Sequence, residues 1–227
     1  MISIIIPFLN EEENLKVLLP TLLKLQNKEI EFLFINDGSK DNSEKVLLAA
    51  LKKHKPKVKY QYISHGKQIG IGGSFRTGIS VANGTHLSML ASDNEDNVSD
   101  ITDKIELLSS YRSIILYNSN SDEARSIVRR TISLVFRFYL NLRFGVKLIY
   151  FNAMGNIYPI DTLRKVTVQS DGFFSLAEIA IKVCQIETAV AHLPRKLNKR
   201  IAGEDKAMTF SALWTMVKDY RKCDLKV

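Results

Sequence analysis

Cysteine is scarce in this chain of 227 residues: only Cys184 and Cys223 occur. Two thiols without metal-type spacing exclude a disulfide framework or a cysteine-rich zinc module, and they predict free thiols in a reducing compartment. Long hydrophobic runs are missing as well, and none approaches the roughly 20 residues needed to cross a bilayer. Met1 leads directly into the strand-like Ile2-Ser-Ile-Ile-Ile-Pro7 with no basic leader and no cleavage site. No signal peptide is therefore expected, and a cytoplasmic protein is. There is no internal repeat and no low-complexity tract. The basic regions lack any helix-turn-helix, zinc-finger or RNP-type pattern, which argues against nucleic acid as the partner. Gly70-Ile-Gly-Gly73 lacks the full dinucleotide fingerprint and follows the third strand, not the first, so free dinucleotide binding is not expected either.

What is present describes an ordinary globular chain. With 45% hydrophobic and 25% charged residues it can bury one sizeable core, which predicts one domain with a C-terminal extension. The 32 basic against 24 acidic residues give a net charge of +8 and a pI near 9.4. That balance favours an anionic partner such as a nucleotide or a phospholipid surface.

The first half alternates strands and helices. Ile2–Phe8 is an apolar run, and Asn10 with Glu13 reads as a capping box for a helix through about Leu25. Ile30–Ile35 follows as a strand, and Asp41 with Glu44 repeats the capping signal for a helix through about His54. Lys57–Ile63 is a third strand. Gly70–Gly73 reads as a flexible loop before a helix at Ser74–Asn83, and Leu87–Ala91 is a fourth strand. A helix at about Val98–Tyr111 and a strand at Ser113–Tyr117 complete this half. Repeated β-α-β connections predict an α/β, Rossmann-like fold: a mainly parallel sheet flanked by helices on both faces. Beyond the polar stretch 118–124 lie a long helix (about Arg125–Phe144), short helices near Asp161–Val166 and Phe174–Gln185, a strand at Ala189–Leu193, a basic loop Arg195–Lys206 and a closing helix around Phe210–Lys222.

The most informative segment is Gly84-Thr-His-Leu-Ser-Met-Leu-Ala-Ser-Asp-Asn-Glu-Asp96, an apolar strand that ends in Asp93, Glu95 and Asp96. A strand cannot bury that much charge, so the carboxylates belong just past its carboxyl end, where open α/β sheets place their ligand crevice. Hard oxygen ligands there suit Mg²⁺ or Mn²⁺ holding a phosphate, while the plain alternative is an acidic loop capping the helix near Val98.

Four motifs stand in register: Ile4-Ile-Ile-Pro-Phe-Leu-Asn-Glu-Glu12, Phe34-Ile-Asn-Asp-Gly-Ser-Lys-Asp41, the Gly70–Gly78 segment and the acidic strand end. Together they resemble family 2 glycosyltransferases of the GT-A fold, and most closely the polyprenyl-phosphate, dolichol-phosphate mannosyltransferase-like branch. Arg200-Ile-Ala-Gly-Glu-Asp-Lys206 resembles that branch's C-terminal Arg-x-x-Gly-Glu-Ser-Lys element, with Asp205 in place of the serine. The resemblance implies an inverting, metal-dependent hexosyltransferase using a UDP- or GDP-sugar, in which residues 1–117 form the nucleotide-sugar half and residues 118–227 the acceptor half of one domain.

The resemblance also implies site residues. Pro7, Asn10 and Glu11 match the first nucleotide-binding loop, and Asp37 matches the carboxylate placed on the base, against the alternative of a plain Asp-Gly-Ser turn. Gly70, Gly72 and Gly73 would admit the ligand to the backbone, with Lys67 and Arg76 meeting ribose or phosphate. The usual Asp-x-Asp is here Ala91-Ser92-Asp93, so Asp93 and Glu95 are expected to hold the metal, Ser92 to line the donor site and Asp96 to assist through water. Asp171 and Glu178 are the candidate catalytic carboxylates. Glu178 alternatively pairs with Lys182 at i, i+4 on the surface, and Asp171 alternatively makes a turn before Gly172.

Arg200 and Lys206 are the candidate acceptor-phosphate ligands within a run that also contains Arg195, Lys196 and Lys199. On the long helix, Arg125, Arg129, Arg130, Arg137 and Arg143 share an arc of about 160° with Phe136, Leu140 and Phe144. That mixed face suits peripheral contact with an anionic lipid surface, or core packing with snorkelling arginines. Three functions stay open: transfer to a polyprenyl phosphate, transfer to a glycan hydroxyl in surface polysaccharide synthesis, and an inactive nucleotide-sugar-binding protein. The oligomeric state is not legible.

Overall fold

The computed structural model describes residues 1–119, 127–151, 153–196, 198 and 219–226, with the backbone alone at 127–133. Strands β1 (Ile2–Phe8), β2 (Ile30–Asn36), β3 (Lys59–Ser64) and β4 (His86–Met89) alternate with helices α1 (Glu12–Leu23), α2 (Ser43–His54) and α3 (Gly70–Val81). These four strands are parallel in the order β3-β2-β1-β4, and β6 (Tyr158–Pro159) adds an antiparallel edge to β4. The central strands are continuous apolar runs because both faces are covered. Ile4 and Ile6 of β1 join one core with Leu15, Leu19, Phe32, Phe34 and Leu47 under α1 and α2. Ile5 turns to the other core with Leu33, Ile35, Phe75 and Met89 under α3.

The second half packs on that second core through α7 (Phe174–Ile186), whose Phe174, Ala177 and Ile181 are buried. Strand β5 (Ser113–Asn118) does not extend the main sheet. It pairs in parallel with β7 (Val190–Arg195) in a separate two-stranded sheet, tied back by a bridge between Ile114 and Ile157. The single helix expected at Val98–Tyr111 is instead a short α4 (Ser99–Thr102) followed by a 3₁₀ turn (Ile105–Ser109), and α6 (Ile160–Leu163) is one turn long. Neither expected capping box forms as a reciprocal pair: α1 begins after Glu11 and α2 after Asn42, although Asp41 Oδ1 accepts the Ser43 amide at 2.9 Å at the start of α2. Both cysteines are free, and burial pushes the Cys184 thiol up to about 12 and the Cys223 thiol up to about 11.

Of the two readings of its arginine-bearing face, the long helix α5 (Ile127–Phe144) follows the core-packing one. Leu140 is fully buried, and the rings of Phe136 and Phe144 stand edge-on to Tyr220 at 6.4 and 6.5 Å. Within that arc Leu140 and Phe144 therefore face the interior, Phe136 is 37% exposed, and Arg137 and Arg143 stand at its two edges, the first half-buried and the second exposed. Arg125 and the side chains of Arg129 and Arg130 lie outside the described residues. Among the described residues no helix is long and apolar enough to cross a membrane.

Candidate active site

Because β1 to β4 run parallel, their carboxyl ends share one edge. The chain progresses outward from β1 to β2 and β3, then returns to place β4 on the other side of β1. The switch point is thus the gap between β1 and β4, where ligands enter open α/β sheets. Pro7, Asn10 and Glu11 lie at the end of β1, and Ser92, Asp93 and Glu95 follow β4. Asn94, in the left-handed region at φ 64°, reaches across with its side-chain amide to the Asn14 carbonyl at 3.1 Å. The first loop is equally fixed. Asn10, also left-handed, donates its amide to Ser39 Oγ (3.1 Å) and accepts the Lys40 amide (2.8 Å), while the Glu11 amide donates to Ser43 Oγ (2.8 Å).

Asp37 is not an idle turn residue. It is buried, with Oδ1 receiving the Ile69 amide and Oδ2 the Gly70 amide, each at 2.9 Å, so it caps the start of α3. His65 Nδ1 stands 2.9 Å from the same Oδ1, and His65 Nε2 lies 3.0 Å from Thr77 Oγ1. Nothing local in the sequence signals this His65 contact, because the partners come from three elements. Lys67 is exposed on the loop against Gly38.

The glycines make room for protein rather than ligand. Gly70, at φ 84°, and Gly72 form the first turn of α3, not a loop ahead of it, and the Gly72 amide donates to the Asp171 carbonyl at 2.9 Å. A Cβ on Gly72 would stand 1.9 Å from the Ser170 carbonyl oxygen, and one on Gly70 2.3 Å from that of Asp171. Arg76 also points to this segment: it donates to the Val168 and Ser170 carbonyls and pairs with the Asp171 carboxylate. The expected contact of Arg76 with ribose or phosphate is therefore replaced by a latch between α3 and residues 168–171.

Glu178 lies beneath that latch and is 0% exposed, whereas Asp171 is 68% exposed at its side chain. Its carboxylate receives the Gln169 and Ser170 amides, each at 2.9 Å, and Lys182 Nζ at 2.8 Å. The i, i+4 pair exists, in the interior and not on the surface. So enclosed, Glu178 positions the loop that carries Asp171 and does not meet an acceptor.

Asp96 is corrected in the same way. It is 6% exposed, and Oδ1 takes a 2.6 Å hydrogen bond from Arg195 Nη1. Burial pushes its carboxyl up and the guanidinium opposes that shift, so its negative charge depends on Arg195. Arg195 Nε also donates to Asn118 Oδ1 at 2.8 Å, and the Asn198 amide donates to the Glu95 carbonyl at 2.8 Å. The end of β7 thereby braces the acidic loop. Asp93 and Glu95 stay half-buried at the crevice, with Asp93 Oδ1 accepting the Glu95 amide at 3.1 Å.

Among the described residues no three His, Cys, Asp or Glu side chains converge. Two carboxylates nonetheless fit Mg²⁺, which takes one or two from protein and the rest from water and phosphate. Arg200 and Lys206, with Lys199 and Asp205, lie outside the described residues.

A parallel β3-β2-β1-β4 sheet, helices on both faces and an acidic loop at the switch point define a GT-A-type α/β protein. Residues 3–165 match the model for glycosyl transferase family 2, and the chain belongs to that family. It is 32% identical over 108 residues to an uncharacterized glycosyltransferase of Rickettsia conorii, covering 48% of this chain and 17% of that one. Against another from Rickettsia prowazekii it is 29% identical over 119 residues, covering 52% and 35%. The matched stretch thus spans about a third or less of these relatives.

Among solved structures, S. aureus TarS in complex with UDP-GlcNAc superposes with a TM-score of 0.69 at 15% identity, covering 97% of this chain and 64% of that one. Glucosyl-3-phosphoglycerate synthase from Mycobacterium tuberculosis, in complex with Mg²⁺ and UDP, gives 0.68 at 12% identity, covering 98% and 78%. At such identities these two speak for the fold.

Proposed function

We propose that the chain moves a sugar, with inversion, from a UDP- or GDP-sugar to a polyprenyl phosphate at the cytoplasmic face of a membrane. Residues 1–117 hold the donor and residues 118–227 meet the acceptor. In this reading Pro7, Asn10, Glu11 and Ser92 line the donor crevice, and Asp93 with Glu95 holds Mg²⁺ or Mn²⁺. A divalent cation bound there supplies charge stabilisation for the departing diphosphate. Arg200 and Lys206 remain the proposed acceptor-phosphate ligands.

The observation that carries the acceptor class is the enclosure of Glu178 against Lys182 and two amides, which leaves Asp171, exposed and paired with Arg76, as the one candidate base among the described residues. A sugar hydroxyl needs a base to take its proton, whereas a phosphate monoester, with a second pKa of about 6, already presents an anionic oxygen at neutral pH. The discriminating variant is Asp171→Asn. Transfer of radiolabelled sugar into the organic-soluble lipid fraction should persist in it within about threefold, whereas a hydroxyl acceptor predicts a loss of about 100-fold or more.

Ala91, where the family's first aspartate stands, favours a second reading as an inactive nucleotide-sugar binder. Thermal stability against UDP and GDP, with Mg²⁺, Mn²⁺ or chelator, separates the two readings. A metal-dependent shift lost in Asp93→Ala supports the donor crevice. A shift independent of metal and of Asp93 moves the binding reading forward, and no shift with either nucleotide removes the donor site.

A further inference from the structure

The arc of α5 opposite its buried stripe is exposed and apolar. Leu134 is 52% exposed, Val135 63%, Phe138 70% and Leu142 74%. At 100° per residue these four fall within an arc of roughly 100° centred opposite Leu140. Scattered surface leucines are ordinary, but four large apolar side chains on one helix face form a contiguous patch.

The surroundings of the patch are basic. Helix α5 reads IVRRTISLVFRFYLNLRF, with four arginines and no acidic residue. Arg137 and Arg143 flank the apolar arc, one on each side. Arg137 is half-buried and anchored to the Ile149 carbonyl at 2.7 Å, and Arg143 is exposed, with its guanidinium 5.4 Å from the centre of the Phe144 ring. Ile149 is itself exposed and Lys147 stands beside it on the return segment. An apolar band with cationic flanks and no acid is the pattern of a helix lying in a bilayer interface, its long basic side chains reaching up to headgroups.

We infer that this outer face of α5, Leu134, Val135, Phe138 and Leu142 between Arg137 and Arg143, docks the protein on an anionic lipid surface. A second copy is a poorer occupant: face-to-face packing would oppose arginine-bearing helices that carry no acid to answer them. The inference deepens the lipid-acceptor reading by naming the surface that brings the crevice to a membrane-held substrate. Its test needs neither donor nor acceptor.

The test is flotation of the full chain with phosphatidylglycerol-containing and pure phosphatidylcholine vesicles, comparing wild type with Phe138→Ser/Leu142→Ser. Both positions are exposed, so the variant should keep the wild-type Tm. Wild type should bind the anionic vesicles, and the variant about tenfold or more weakly. Arg143→Gln should narrow the preference for phosphatidylglycerol. Equal binding by wild type and the double variant overturns the inference. So does a wild type that ignores vesicles, including one that sediments as a dimer which the double variant dissolves; that result assigns the face to a second copy. A nucleotide-induced thermal shift measured on the same samples keeps failure of this surface distinct from failure of the donor crevice.

Discussion

Two loops border the carboxyl edge of the sheet and its neighbouring α3, and each rests on a buried ion pair. Under the acidic loop after β4, Asp96 pairs with Arg195 at 2.6 Å; under the loop at 168–171, Glu178 pairs with Lys182 at 2.8 Å. In both, the enclosed carboxylate braces the chain, and a more accessible one nearby, Asp93 or Asp171, is what the loop presents. The two differ in reach. Glu178 and Lys182 sit one turn apart on α7 and act on backbone close by, whereas Asp96 and Arg195 are brought together from β4 and β7 across the fold. Carboxylates clustered in sequence thus divide into props and presented groups, and burial draws the division.

Removing one member of a pair has the largest expected effect. Glu178→Ala leaves Lys182 buried without its counterion and strips two amides of their acceptor, and should cost about 3–5 kcal/mol in urea denaturation. Replacing both partners, Glu178→Leu with Lys182→Met, should cost much less, because no buried charge is left behind. If the single and double variants are equally destabilised, the ion pair is not what braces residues 168–171.

Arg195→Met sharpens the contrast between the pairs. It should cost about 3 kcal/mol and, because Asp96 then has no cation holding its charge, loosen the acidic loop. Metal-dependent nucleotide binding should weaken about tenfold or more in Arg195→Met and stay near wild type in Glu178→Leu/Lys182→Met, measured by calorimetric titration at a temperature where each is folded. Equal losses in both would mean that the two loops form one unit.

A smaller perturbation acts on the latch itself. Gly72→Ala drives a methyl to 1.9 Å from the Ser170 carbonyl and must displace one backbone from the other. A cost of about 1–3 kcal/mol follows, as for other overpacked contacts. Hydrogen exchange should rise first at the Gly72 amide, which the Asp171 carbonyl accepts.

Strands β1 to β4 and the two helices between β1 and β3 were legible within a few residues; the doubly covered β1 and β2 must be continuous apolar runs and their helices carry a one-sided stripe, while the edge strand β3 is the partly exposed Lys-Tyr-Gln-Tyr-Ile-Ser. Local pattern failed where the deciding partner lay far along the chain. Gly70–Gly73 looks like a loop until residues 170–171 press on it, and only then is a helical turn without side chains required. Asp96 reads as a third metal ligand because Arg195, remote in sequence, is invisible beside it. Helix α5 carries apolar residues on both arcs, so its period could not choose the buried one; Tyr220, near the far end of the chain, does. The crevice was legible as a place, since an acidic strand end belongs at the switch point. The division of labour among its carboxylates was not, because burial is a property of the assembled fold.

A third buried carboxylate tests whether such a brace needs a cation at all. Glu31, toward the amino ends of the strands, is enclosed, and its donors are neutral: the Ser3 hydroxyl at 2.7 Å, the Gln61 amide at 2.9 Å, and the Asn83 backbone and side-chain amides at 3.0 and 2.7 Å. Burial alone would raise its pKa, yet these hydrogen bonds together overcome it and hold the carboxyl below the ordinary range. The folded state thus favours the ionised form. Its contribution to stability is complete above the unfolded pKa of about 4.3 and is lost as pH falls through the lower folded value. Glu31→Gln should therefore be less stable than wild type at pH 7 by about 1 kcal/mol, with the gap closing as pH falls from about 5 toward 3. A gap that stays constant across that range would mean that the shape of the side chain, and not its charge, joins β1, β2 and β3 at this end of the sheet.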